Sequence, residues 1–277
     1  MSQVLRVALD LLLEAFRRRW FIALFATITL VLVVLGLALR LEVVDGAVAG
    51  SKLFGSWMKD IIPGQTFLGY VYFGTASLSF YGGALFLIVA CSDFATELLA
   101  PGRIEHLLSL PVARWQLLFG TWLGVVSLAA LGTLYGAVGL TVLLGVKGGL
   151  WSWGLVLGSA IGWVGFCALY AAMLTVAFFV RSAAASAGAG LVVFVLGVFS
   201  SNRETVAAAI SPGVGRWAFR ALVMPFPRLV DLGTASAYIA MGRPVDTVTV
   251  VKLLVACFVF SASLLALATW RFERKDF

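Results

Sequence analysis

Charge is what this chain has least of. Its 13 acidic and 20 basic residues make up 12% of 277 positions, against about 25% in soluble domains. Hydrophobic residues make up 62%, and the mean hydropathy is +1.05. That balance excludes a soluble globular domain and makes the chain an integral membrane protein. Histidine occurs once, at His106, and cysteine three times, at Cys91, Cys167 and Cys257. Neither number nor spacing suits a metal-ligand set or a disulfide framework, so no metal site is expected and the cysteines read as free thiols in or beside spans. A Gly-x-x-x-x-Gly-Lys-Ser/Thr phosphate loop is absent, so the chain is not expected to hydrolyse ATP itself. The apolar runs lack the alternation of lipid-facing and lumen-facing residues that a membrane β-barrel needs. No small-residue cleavage pattern follows the first run, which reads as a retained span rather than a signal peptide. Ionisable residues do not cluster within the apolar windows, which argues against an intramembrane enzyme.

What remains is organised by those windows. Uncharged stretches run over 20–39, 61–92, 115–146, 148–180, 182–202 and 253–270, each near or above the roughly 20 residues a helix needs to cross hydrocarbon. The expectation is an all-α membrane protein, one transmembrane domain over 1–277, with spans at 20–39, 67–90, 115–145, 153–179, 183–199 and 251–270. Residues 3–19 carry Arg6, Asp10, Glu14 and Arg17 on one face and Leu5, Leu9, Leu12, Leu13 and Phe16 on the rest, the pattern of an amphipathic elbow helix lying in the interface plane. Glycines recur every fourth residue at Gly120, Gly124, Gly132 and Gly136 and again at Gly154, Gly158 and Gly162, which marks faces of close helix packing, intramolecular by preference. The run Ala183 to Gly190 is similarly small and is a candidate subunit or gate contact. Residues 200–250 are broken by Pro212, Pro225, Pro227 and Pro244 and read as an outer loop with short interfacial or re-entrant helices. Lys and Arg divide evenly between the two faces, ten and ten. The cluster Arg17, Arg18, Arg19 before Trp20, and Arg271, Arg274 and Lys275 at the other end, lie where the positive-inside rule has force and place both termini in the cytoplasm.

The most informative polar stretch is Cys91–Gln116. Asp93 and Glu97 are spaced i,i+4, Pro101 and Gly102 break whatever helix carries them, and Arg103 with Glu105 opens a second short helical piece containing Leu107, Leu108 and Leu110. A new helix can start at Pro111 and run through Arg114 into the third span. Asp93, Glu97 and Glu105 would also supply paired carboxylates for catalysis, but no nucleophile or second ligand set accompanies them.

These residues carry a resemblance. Asp93, Glu97, Gly102, Glu105, Leu107, Leu108, Pro111, Arg114, Gly120 and Gly124 resemble the loop of the ABC-2 family of ABC transporter permeases, in which an acidic segment and a glycine precede a Glu-Leu-Leu-x-x-Pro-x-x-Arg run. The six spans, the amphipathic start and the tail Arg271 to Asp276 are similar to the same family. Gly102-Arg103 stands where the family usually has Gly-Thr. The resemblance implies the fold of the type V exporter-like permeases and a transmembrane subunit of an ATP-driven transporter in a bacterial or archaeal cytoplasmic membrane. It implies a cytoplasmic coupling element over 91–114, with Asp93, Glu97, Gly102, Arg103, Glu105, Leu108, Pro111 and Arg114 as the residues that meet an ATPase. It further implies no cofactor in this chain, ATP and Mg on a separate ABC ATPase subunit present in two copies, a second copy of the permease as a homodimer, and membrane lipids as surroundings. Room is left for a periplasmic or outer accessory protein, and nucleic acid is not expected. Small permeases of this family serve drugs, lipids, polysaccharides or copper-site maturation; Met58, Met173, Met224 and Met241 are scattered and give a copper path little support. The alternative is a membrane anchor or force-transmitting subunit of an ATPase-linked envelope complex.

Overall fold

The computed structural model describes residues 3–17, 19–40, 43–44, 47–48, 52–53, 56–57, 62–100, 102, 112–149 and 151–274. Five helices among them are long and apolar enough to cross a membrane: Gly64–Ala90 (α3), Arg114–Gly148 (α5), Gly154–Val180 (α6), Ala183–Ser201 (α7) and Thr247–Glu273 (α11). They are preceded by Gln3–Arg17 (α1) and Arg19–Ala38 (α2). Helix α2 is 20 residues long, with a described apolar run of Phe25–Leu37. Short helices complete the chain at Phe94–Leu98 (α4), Arg203–Ala209 (α8), Val214–Val223 (α9) and Leu229–Ala240 (α10). Between α2 and α3 the only regular structure described is a set of two-residue strands, paired antiparallel.

Helix α6 is the axis of the bundle. It packs against α11, α10, α5, α7 and α3, and from Val164 to Leu174 every side chain is buried. A helix that is apolar all round suits either a protein core or a membrane span, and α6, with that composition, is the one its neighbours enclose. Its glycines decide how close the neighbours come. A Cβ on Gly154 would stand 2.7 Å from the Ala240 carbonyl and 2.8 Å from that of Ile239. One on Gly158 would run into the carbonyl oxygen of Ser236. In return the Ser236 hydroxyl donates to the Gly158 carbonyl at 2.6 Å. The every-fourth-residue glycine face therefore packs within the chain, against α10.

Helix α10 is 12 residues long, too short to cross hydrocarbon, yet Leu229, Leu232, Gly233, Ser236, Ala237 and Ala240 are buried between α3 and α6. It enters the bundle rather than lying on it. Ser201 at the end of α7 accepts from the amides of Val230 and Asp231 at 3.1 and 3.3 Å, which serves the orphan donors of the α10 N-terminus. Helices α8 and α9 stay outside, joined by Arg220 to Glu204 at 2.7 Å, with Val214, Trp217 and Leu222 of α9 exposed.

The second glycine face meets the N-terminal helix. A Cβ on Gly120 would be 2.6 Å from the Val7 side chain and 3.1 Å from the Val4 carbonyl; one on Gly124 would be 3.1 Å from the Ala8 carbonyl. Successive turns of α1 thus meet successive turns of α5. Helix α1 therefore packs along α5 over these two turns. Ala8, Leu11 and Ala15 form its packed face, and Leu5, Leu9, Leu13 and Phe16 remain as an exposed apolar stripe beside the charged stripe of Arg6, Asp10 and Arg17. Helix α2 continues along α5, with Ile28 over Gly136 and Leu32 against Gly139 and Phe25 edge-on to Tyr135 at 5.2 Å. The partner is long enough for both: 35 residues at about 1.5 Å each give ~52 Å, some 20 Å more than a ~30 Å hydrocarbon layer.

Two outcomes follow. Gly158→Ala, which drives a methyl into the α10 backbone, lowers stability by about 1–3 kcal/mol, while Gly74→Ala, where nothing lies within 4 Å, leaves it unchanged or raises it by up to ~1 kcal/mol through helix propensity; thermal unfolding in one detergent measures both. At the start of α11, the Asp246 carboxylate accepts from the Thr249 hydroxyl at 2.6 Å and from the amides of Thr249 and Val248 at 3.0 and 3.3 Å. Those bonds, the hydroxyl first, hold its pKa below the usual aspartate value. A depressed carboxylate stabilises above its unfolded-state pKa and loses that contribution as pH falls through the folded value. Hydrogen exchange at Val248 and Thr249 should therefore be protected at neutral pH, lose protection in acid and in Asp246→Ala, and keep most of it in Asp246→Asn, which retains an acceptor.

Candidate functional site

One end of the bundle gathers the N-terminal half of α1, the end of α3, α4, the start of α5, the α6–α7 turn and the end of α11. It begins where α3 stops: Cys91 still donates its amide to Leu87 at 2.9 Å, and Ser92 turns the chain, its hydroxyl on the Val89 carbonyl at 2.9 Å. Asp93 then starts α4. Its carbonyl accepts from the Glu97 amide at 2.8 Å and the Thr96 hydroxyl at 2.9 Å. Helix α4 is little more than one turn, too short to be stable by itself, and its order comes from burial. Phe94, Ala95, Leu98 and the following Leu99 are buried; Ala95, Leu98 and Leu99 pack with Leu117 and Leu118 of α5, Leu174 and Phe178 of α6, and Leu265 and Phe272 of α11, while Phe94 joins the main core cluster. The Phe94 ring also meets Phe21 of α2 at 5.9 Å. Asp93, Thr96 and Glu97 lie on the partly exposed side. Gly102, at φ +80° with nothing within 4 Å of its would-be Cβ, takes the left-handed conformation that glycine adopts without strain.

Of the residues singled out from the sequence, Arg103, Glu105, Leu107, Leu108 and Pro111 lie outside the described residues, as does the second short helix expected there. The structure brings Asp93, Glu97 and Arg114 to one end of the bundle. Helix α5 starts at Arg114 rather than at the proline. Ala113 is extended (φ −68°, ψ 145°), and Gln116 reaches back to accept its amide at 3.0 Å, half of a capping box.

Arg114 makes a contact that the sequence did not announce. Its guanidinium donates to the carbonyls of Phe272 at 2.9 Å and Glu273 at 3.1 Å and lies 5.8 Å from the centre of the Phe272 ring. Those carbonyls belong to the last turn of α11, which carries partial negative charge and lacks intrahelical donors. Arg114 thus fastens the start of α5 to the end of α11. The Phe272 ring, 4.7 Å from Phe178, joins α6 to the same knot. Nearby, Arg181 turns α6 into α7 in the left-handed region at φ 54°, and Ser182 accepts from the Ala185 amide at 3.3 Å to cap α7. The apolar anchors Phe94, Leu98, Phe178 and Phe272 were not candidates from sequence, although Phe94 and Leu98 stand at the i,i+4 spacing of one helix face.

The small start of α7, read as a subunit or gate contact, divides by face. A Cβ on Gly190 would be 2.8 Å from Met173 of α6, while Gly188 has nothing within 4 Å. Among the described residues no group of three His, Cys, Asp or Glu side chains could hold a metal ion. No family model matches the chain, and no curated protein matches it. The likeness to ABC-2 permeases therefore rests on the residues already named.

Removing the Arg114 clamp tests its role. Arg114→Ala should cost about 1–3 kcal/mol, the loss of charge-assisted bonds to helix-end carbonyls, and should free the amides of the last turn of α11 to exchange. Arg114→Lys, a single point donor without the planar fork, should restore part of that protection. An unchanged exchange pattern in Arg114→Ala would contradict the clamp.

Proposed function

We propose that this chain is the permease subunit of an ATP-driven ABC transporter of the ABC-2 type, with Arg19–Ala38 as the first of six spans and both termini in the cytoplasm. A separate ATPase subunit, in two copies, supplies ATP and Mg chemistry, and two permease subunits complete the assembly in a bacterial or archaeal cytoplasmic membrane. The chain itself is a conduit and a lever, and performs no hydrolysis.

One observation carries this reading. The Asp93–Leu98 turn is wedged by its apolar side among α2, α5, α6 and α11, while its acidic side faces outward from the bundle. An external partner can bias a conformational equilibrium only through an element that differs in energy between the two states, and a rigid push on a mobile loop transmits nothing. A one-turn helix packed by its apolar side on α5, α6 and α11, two of which Arg114 ties together, is a surface on which such a push moves spans as bodies. In this reading Asp93, Glu97, Arg103 and Glu105 make the polar contact, Gly102, Leu108 and Pro111 shape the loop, and Arg114 acts as a positioning residue behind it. The cationic cluster of Arg17, Arg18 and Arg19 before the first apolar run in the sequence favours the cytoplasmic assignment of the N-terminus.

The test is purification through a tag on this chain, followed by assay of ATP turnover in whatever co-purifies. Glu97→Lys with Glu105→Lys should leave the permease folded and lower turnover or ATPase recovery severalfold. Unchanged turnover together with unchanged recovery would sink the coupling role. Turnover that responds to these charges in a complex that moves no solute would instead favour the anchor or force-transmitting alternative.

A further inference from the structure

A cavity of about 470 Å³ lies halfway along the bundle, between α2, α3, α5, α6 and α10. Its back wall is Ala129 of α5 with Trp163 and Phe166 of α6, and its mouth is on α3, where Leu78 and Phe86 both line the cavity and are exposed. The mouth exists because α2 packs on α5 and α1 and not closely on α3. On the α3 side it is kept open by adjacent glycines: a Cβ on Gly82 would meet only Leu78 at 3.6 Å, and one on Gly83 only Ser79 Oγ at 4.0 Å.

We propose that this cavity is a lateral binding site for one acyl chain of a membrane lipid. Among the described residues no Asp, Glu, Lys or Arg lines it. Three of its polar groups are turned to the helices: the Trp163 indole donates to the Val126 carbonyl at 2.8 Å, Thr133 to Ala129 at 2.8 Å and Ser236 to Gly158 at 2.6 Å. A headgroup would find no ionic partner there, and an apolar pocket of this kind stays dry. Left empty, walls of this extent would forfeit the dispersion contacts that a packed interior makes. The surrounding α3, α5, α6 and α7 are all long enough to span a membrane, so the medium facing a mouth at their mid-length is hydrocarbon, and the molecule able to enter is an alkyl chain whose headgroup stays at the interface. The volume falls within the usual range for ligand sites, about 300–1,000 Å³. This site is independent of the transport reading and of any ATPase partner.

The probe is a phosphatidylcholine carrying a diazirine at the end of one acyl chain, incorporated with the purified protein into vesicles of otherwise unlabelled phosphatidylcholine. After irradiation, mass spectrometry should place adducts on Ala129, Trp163 or Phe166, the last only 4% exposed and out of reach of bulk lipid. Gly83→Leu should reduce these adducts to the background of buried residues elsewhere. Labelling of Val259, on the lipid-exposed side of α11, serves as internal reference and should not change. Gly74→Leu, on the same helix but in open space, should leave the back-wall adducts intact, which separates cavity filling from damage to α3. Adducts confined to exposed residues, or back-wall adducts equal in Gly83→Leu and the parent protein, would overturn the proposal. So would a disulfide-linked dimer through Leu78→Cys accompanied by no back-wall label, since a second copy would then occupy the mouth.

Discussion

The close approach of α6 to α10 is the constraint on which the rest of the bundle depends. Lipid tails are as apolar as leucine, so membrane helices are not driven together by exclusion from water; they associate through packing and hydrogen bonds. Gly154 and Gly158 bring the α10 backbone against that of α6, and the Ser236 hydroxyl closes the contact with a bond to the Gly158 carbonyl. A 12-residue helix could not otherwise be kept at this depth, because its ends expose backbone groups that hydrocarbon cannot satisfy. The structure meets that cost locally: Ser201 receives two amides at the start of α10, and the Ser200 hydroxyl serves the Phe226 carbonyl just before it at 2.9 Å. With α10 in place, Phe80 of α3 is held between Gly162 and Gly165 of α6 and Gly233 of α10, so α3 is positioned through α10 as well as directly.

The opposite end of α6 is built by different means. There the contacts are aromatic and ionic: Phe178 on Phe272, Arg114 on the final carbonyls of α11, and Arg271 over the Phe179 ring at 5.5 Å. Cation–ring and charge-to-carbonyl contacts depend less on one exact interlocking of shapes than glycine packing does, because they act over a range of distances and tilts. One end of the axis is thus a close-packed seat and the other a set of adjustable fastenings. A bundle that must respond to a partner at one end and hold its shape at the other would be built with this asymmetry.

The spans were legible because uncharged windows of sufficient length have few alternatives, and five of the helices occupy such windows. The glycine spacing announced close packing but not its partner. Nothing local in residues 3–19 says that Val7 and Ala8 will fill the groove over Gly120 and Gly124. The prolines over 200–250 leave interfacial and re-entrant helices open, and α10 is one that enters the bundle; the small-residue face of Gly233, Ser236, Ala237 and Ala240 is the local signal that distinguishes it. The resemblance makes Arg114 one of the residues expected to meet an ATPase, and its clamp on α11 is not legible in its neighbours. Its partners are 158 and 159 residues away, and a contact of that separation is set by topology, which the pattern of neighbouring residues does not encode.

The same glycine economy that seats α10 also explains why a cavity persists beside it. Gly162 and Gly165 give up side-chain volume so that Phe80 can reach α6, and Gly82 and Gly83 give it up again one turn further along α3. Where an aromatic ring fills the space the helices close; where none does, the gap stays open towards α2. Helix α2 cannot shut it, because its contacts run along α5 through Ile28, Leu32 and Phe25 and hold it to that side. An interior designed only for stability would place a leucine at position 83. Glycine there, in the middle of a helix where it costs about 0.5–1 kcal/mol relative to alanine, makes sense if the space has an occupant that the chain does not itself provide.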